Sequence, residues 1–159
     1  MIAVKDETGI TLVELLVAVA ISSLVASGLG AAVHQFVAVG ERSRDTQRAL
    51  HDIQNAGHWL SIDGNEAMST DLVDNASPVG AMTLSWTVNS QAHSSTYYLS
   101  GNELRRDHND SVTSVARNVT DVEFSRNGQL VTVSMISTPS GRWGVSKQAT
   151  YNIWVRPVS

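Results

Sequence analysis

Glu14 is the residue with the most chemistry to explain. The 159-residue chain holds 15 Asp/Glu and 11 Lys/Arg, yet between Ile10 and Gly40 Glu14 is the only one of them. A carboxylate one turn inside an apolar run costs a few kcal/mol unless it finds a partner. No Lys or Arg lies within the run. Either Glu14 reaches water beside the positive end of a helix, or its cation comes from elsewhere. A cut after Gly9 would create one, because the new α-amine of Ile10 would lie four residues away or on a neighbouring copy.

The remaining chemistry-bearing residues form weaker patterns. Ser and His are plentiful, but no Gly-x-Ser-x-Gly elbow or other nucleophile context occurs, and the chain reads as non-enzymatic. The absence of Cys excludes disulfides, thiol catalysis, Cys-containing zinc sites and iron–sulfur clusters. His51 and His58 share a helix face but stand two turns apart, about 10 Å, too far to share one ion. Asp107-His108-Asn109-Asp110-Ser111 begins like a calcium loop, then has Val112 where Gly is needed and Asn118 where Glu is needed. A polar hairpin is the better reading, and no cofactor or metal is assigned. Arg105 and Arg106, with four Trp in the chain, would suit single-stranded DNA, but a net charge of -4 argues against nucleic acid as the partner. Arg105, Arg106 and Trp143 (in the loop Ser140-Gly141-Arg142-Trp143-Gly144) are instead candidate contacts for a protein neighbour.

Elements must place these residues. From Leu15 to Val33 no charge interrupts 19 residues, roughly 28 Å of helix, close to the hydrocarbon thickness of a bilayer. A head of some 120 residues could hardly bury so long an apolar cylinder, and an acidic leader fits an ordinary signal peptide poorly. Ten of the 19 are Ala, Ser or Gly, which lets like helices approach closely. Beyond Gly40, apolar residues recur at Leu50, Ile53, Ala56/Gly57 and Leu60, one buried helical stripe, with Arg48 and Asp52 placed to pair across a turn. Ser61–Asn65 reads as the stop, so one helix of roughly 75 Å is expected from about Ile10 to Leu60. Strands are expected at 82–88, 96–99, 103–106, 122–126, 129–135 and 149–155. Ser100-Gly101-Asn102 and Asn127-Gly128 supply the hairpin turns, and Pro157 closes the last strand. The expected fold is α+β, a long N-terminal helix packed on an antiparallel sheet. Three segments follow: a leader (1–9), an apolar helix (10–39) and a polar head (40–159).

Gly9-Ile10-Thr11-Leu12-Val13-Glu14-Leu15-Leu16, followed by the apolar run, resembles the prepilin-peptidase motif of type IV pilins and type II secretion pseudopilins. Two departures stand out: Ile10 replaces the usual Phe, and Asp6 and Glu7 stand where basic residues are expected. The resemblance implies cleavage between Gly9 and Ile10, methylation of the Ile10 amine, and pairing of Glu14 with that amine on a neighbouring subunit. It also implies a pilin-like fold, a single pass through the inner membrane and a periplasmic head. The implied partners are the prepilin peptidase and other pilin subunits. Tyr97-Tyr98-Leu99 to Leu104-Arg105-Arg106, Val115–Phe124 and the Asn-Gly hairpin resemble minor pilins and pseudopilins of the J/W type, which act at or near the filament tip. Some pseudopilin heads bind calcium. An adhesive or DNA-uptake head is the alternative within the same resemblance.

Overall fold

A computed structural model describes residues 11–156, so the expected cut between Gly9 and Ile10 and the closing Pro157 lie outside the described residues. Among the described residues one helix, α1 (Leu12–Glu66), is followed by eight strands. Two compact units divide the chain at Gly40/Glu41. In the first, α1 consists mostly of aliphatic and small residues, and none of those described is buried. In the second, α1 carries a buried stripe of Asp45, Ala49, Asp52, Ile53, Ala56, Leu60, Asp63 and Gly64. Its three- and four-residue spacing is that of a single helix face.

The strands form two antiparallel sheets where one was expected. Strands β1 (Ser69–Thr70), β2 (Ala81–Val88), β3 (Gln91–Ser100), β4 (Glu103–His108) and β5 (Ser111–Ala116) pair in sequence order. Strands β6 (Val119–Asn127), β7 (Leu130–Ser137) and β8 (Lys147–Trp154) form the second sheet. Val79 and Phe124 exchange backbone hydrogen bonds of 2.9 and 2.8 Å, and the Val119 amide donates to Asn102 O at 2.9 Å, stitching the sheets together. Alternate residues face a common core: Met82, Leu84 and Trp86 from β2, Val131, Val133 and Met135 from β7, with Tyr97, Phe124 and Leu60 among its largest members. Val88, expected on the same face as Trp86, is exposed.

Turn chemistry sets the register. Asn89-Ser90 and Asn109-Asp110 both have positive φ at the two central positions, as a type I′ hairpin turn requires. The Asn109 turn occupies the segment that begins like a calcium loop. In the β6–β7 hairpin the turn is Gly128-Gln129, one residue later than expected, because Asn127 still pairs with Leu130. A bulge between Leu104 and Arg105 leaves Val115 as the extra residue of β5. Its carbonyl accepts from Asn55 Nδ2 at 2.6 Å, tying the helix to this edge of the sheet.

Two expectations about α1 are corrected. The helix runs through Ser61–Asn65 to Glu66, because Asp63 and Gly64 belong to the buried stripe and the sheet holds them there. Arg48 pairs with Asp45 at 3.7 Å, not with Asp52. The Asp52 carboxylate is taken up by the Arg117 amide (3.1 Å), Asn118 Nδ2 (3.0 Å) and Ser137 Oγ (3.3 Å).

Candidate assembly site

Glu14 lies in the first turn of α1 and is exposed. Its Oε2 accepts from the Thr11 amide and from Thr11 Oγ1, both at 3.1 Å, and its own amide donates to Thr11 Oγ1 at 3.3 Å. This reciprocal arrangement is a capping box, which satisfies amides that the first helical turn leaves orphaned. The Thr-x-x-Glu spacing is the sequence signature of this cap, a signal the search for a cation does not use. The two roles are compatible. The cap fixes the carboxylate at the start of the apolar run, where the helix dipole favours its negative charge.

The run itself is unpartnered. Every residue from Leu12 to Gly30 is exposed, with Leu12 at 76% and Phe36 further along at 80%. An 18-residue window of the helix is long and apolar enough to cross a membrane, and none of it is buried within the chain. Its hydroxyls do not spoil this surface. Ser23 and Ser27 donate to the carbonyls of Ala20 and Leu24, both at 2.8 Å, so their polar atoms are satisfied within the helix. Around Gly28 and Gly30 nothing lies within 4 Å of a built Cβ position. So much continuous apolar surface must be covered by lipid or by other helices.

Residues 4–30 match the prokaryotic N-terminal methylation motif. The chain carries a type IV pilin-like signal. The match includes Gly9, Ile10 and Glu14, and it supports a pilin- or pseudopilin-like subunit. Such a motif implies processing by prepilin peptidase and assembly with other pilins. With the apolar helix behind it, the motif fits a single-pass membrane anchor, and the helix packed against antiparallel sheets is a pilin-like α+β fold. Comparison with curated proteins and with solved structures finds no match.

The residues singled out in the head fare differently. Arg106 is not on the surface: it is 8% exposed, and its Nε and Nη2 donate to Asp63 Oδ2 and Oδ1 at 2.6 and 2.7 Å. Its guanidinium carbon lies 4.7 Å from the Trp59 ring centroid. The alternation along β4 turns Arg106 inward opposite Tyr97 and leaves Arg105 on the other face, half-exposed and 3.4 Å from Glu103. The expected basic pair therefore presents one arginine, and Arg106 is corrected from a partner contact to a core residue. Trp143 is half-exposed, with its indole N–H donating to Glu41 Oε2 at 3.3 Å. The Arg142 guanidinium carbon lies 5.7 Å from its ring centroid. His51 and His58 are both exposed.

Sequence reasoning missed the buried polar network. Asp63 Oδ2 accepts from the Tyr97 hydroxyl at 2.5 Å as well as from Arg106. Burial pushes the Asp63 carboxyl up, but the bonds from Arg106, Tyr97 and Ser95 outweigh it and hold it below its ordinary value. Burial, then the Asp63 carboxylate, push the Tyr97 phenol well up. Ser95 also meets His108 Nδ1 at 2.9 Å. The Ser94 amide donates to Asn109 Oδ1 at 3.0 Å, so Asn109 Nδ2 is the donor to His93 Nδ1 (2.9 Å) and His108 Nε2 (3.3 Å). His108 therefore donates through Nδ1 to Ser95. This is no nucleophile pair, because Ser95 is fully buried and an amide, not a carboxylate, orients the imidazole. Among the described residues no group of three or more His, Asp or Glu is placed to hold a metal ion.

Proposed function

We propose that the chain is a minor subunit, at or near the tip, of a type IV pilus or type II secretion pseudopilus. It enters the inner membrane as a single-pass precursor with its head on the periplasmic side. Cleavage after Gly9 and methylation of Ile10 prepare it for assembly. Glu14 then neutralises the amine of a neighbouring subunit, and the small residues of the run let the helices bundle. The observation that carries this reading is the wholly exposed apolar helix with one carboxylate, pre-oriented by Thr11, at its start. The head's likeness to J/W-type minor pilins supports the tip-proximal assignment. Glu14→Ala should leave the chain in the membrane and abolish its incorporation into filaments; incorporation at the unsubstituted level overturns the role given to Glu14.

A further inference from the structure

The first turns of α1 in the head sort their charges by sign. Glu41, Arg42, Arg44, Asp45, Arg48 and Asp52 mix both signs in the sequence, but the acids are engaged by the head. Glu41 holds the Trp143 indole. Asp45 is buried against Gly141, with the Arg48 guanidinium at 3.7 Å from its outer side. Asp52 is buried and binds the Arg117 amide and the Asn118 side chain. The bases stay outside: Arg44, Arg48 and His51, spaced i, i+4, i+7 along one face, are exposed. By capturing the backbone at residue 117, Asp52 brings the exposed Arg117 alongside them without spending its charge on that guanidinium. Arg44, Arg48, His51 and Arg117 line one open groove of about 500 Å³, whose only acid is Asp52, turned to the Arg117 amide and Asn118. Among the described residues neither Arg44 nor Arg117 has an ion-pair partner. In a chain of net charge -4, this is a cationic surface assembled by tertiary structure.

We infer that this groove docks on the phosphate headgroups of anionic lipids in the bilayer that holds the rod. The inference rests on the membrane reading of the apolar helix. Leu15–Gly40 lacks Asp, Glu, Lys and Arg over 26 residues, roughly 39 Å of helix against a hydrocarbon core of about 30 Å. An apolar stretch longer than the hydrocarbon core is thick ends within the headgroup layer. Arg44 comes four residues after Gly40, and a cationic face at that place gains from an anionic surface. Guanidinium groups suit phosphate oxygens, to which they can donate in pairs.

The test uses the full chain reconstituted in vesicles of phosphatidylcholine alone or mixed with phosphatidylglycerol. Flotation is checked first, then the rate of phenylglyoxal modification is read at each arginine by peptide mass spectrometry. Modification of Arg44, Arg48 and Arg117 should slow several-fold in the anionic vesicles and recover with added salt, while exposed Arg156 changes little. A chain that fails to float with either vesicle overturns the membrane reading itself. One that floats but shows equal rates in both overturns the headgroup site alone. Equal protection by soluble glycerol phosphate in neutral vesicles overturns it in favour of a free phosphate ester. Protection that rises with protein density in neutral vesicles overturns it in favour of an acidic face of another copy.

Discussion

The Asp63 carboxylate receives both nitrogens of one edge of the Arg106 guanidinium, at 2.6 and 2.7 Å, with Asp63 1% exposed. The pair joins the last turns of α1 to β4 across the core, and Tyr97 and the Trp59 ring enclose it. Removing one partner strands a buried charge, which costs about 3–5 kcal/mol. Arg106→Leu should therefore lower head stability by that order in denaturant unfolding followed by tryptophan fluorescence. Tyr97→Phe, which keeps the ring and loses one bond to a charged acceptor, should cost about 1.5–3 kcal/mol. Equal unfolding midpoints for the Arg106→Leu protein and the unsubstituted one would remove the pair from the account.

The same pair fixes a pH dependence. Asp63 has a folded-state pKa held below its ordinary value, so its contribution is complete above the ordinary carboxylate range and is lost as pH falls below it. In Arg106→Leu the influence left dominant is burial, which pushes Asp63 up. The stability deficit of the variant should then shrink as pH falls from neutral toward about 4. Unfolding midpoints of both proteins across that range check the convergence; a constant deficit contradicts it.

Gly57 and Gly64 give the helix a bare flank for β8. A Cβ at Gly57 would fall 2.5 Å from Tyr151 Cε1, and one at Gly64 would collide with Ile153 Cγ2. The Tyr151 hydroxyl, reaching across the Gly57 flank, donates to Ile53 O at 2.6 Å. Gly57→Ala and Gly64→Ala should each destabilise the head by about 1–3 kcal/mol from overpacking, less the gain of about 1 kcal/mol from better helix propensity. Gly28→Ala and Gly30→Ala meet no neighbour within the chain and should leave head stability unchanged. Thermal unfolding of the four variants separates the two classes.

Asp52 holds a loop residue, Asn118, in the left-handed region at φ 52°. Asp52→Ala would leave the Arg117 amide without its acceptor, at a cost of about 1–3 kcal/mol. Hydrogen exchange at that amide should accelerate markedly, while the core strand β7 keeps its protection. Unchanged exchange at Arg117 would show that the carboxylate is not what holds the loop.

What could be read from residue order was whatever depended on local pattern. The rod followed from missing charge, the Met82–Trp86 face from strict alternation, and the β3–β4 turn from Gly101 and Asn102. Strand ends at Asn89-Ser90 and Asn109-Asp110 were less legible, because type I′ turns without Gly carry a weaker signal. The division into two sheets, in which β5 and β6 follow one another without pairing, and the Val79–Phe124 bridge that joins them, rest on contacts between distant segments. Arg106 misled for a related reason: beside Arg105 it resembles a basic surface, and only its pairing opposite Tyr97, with Asp63 above, turns it inward. A carboxylate at position 63 likewise looks like a helix stop until its partner 43 residues away is known.

If cutting at Gly9 makes the apolar helix competent for assembly, the intact mass of the protein records it. Protein purified from cells expressing a prepilin peptidase should lack Met1–Gly9 and carry one added methyl group on Ile10. A full-length chain with an unmodified N-terminus, from cells in which the peptidase processes another pilin, would contradict it.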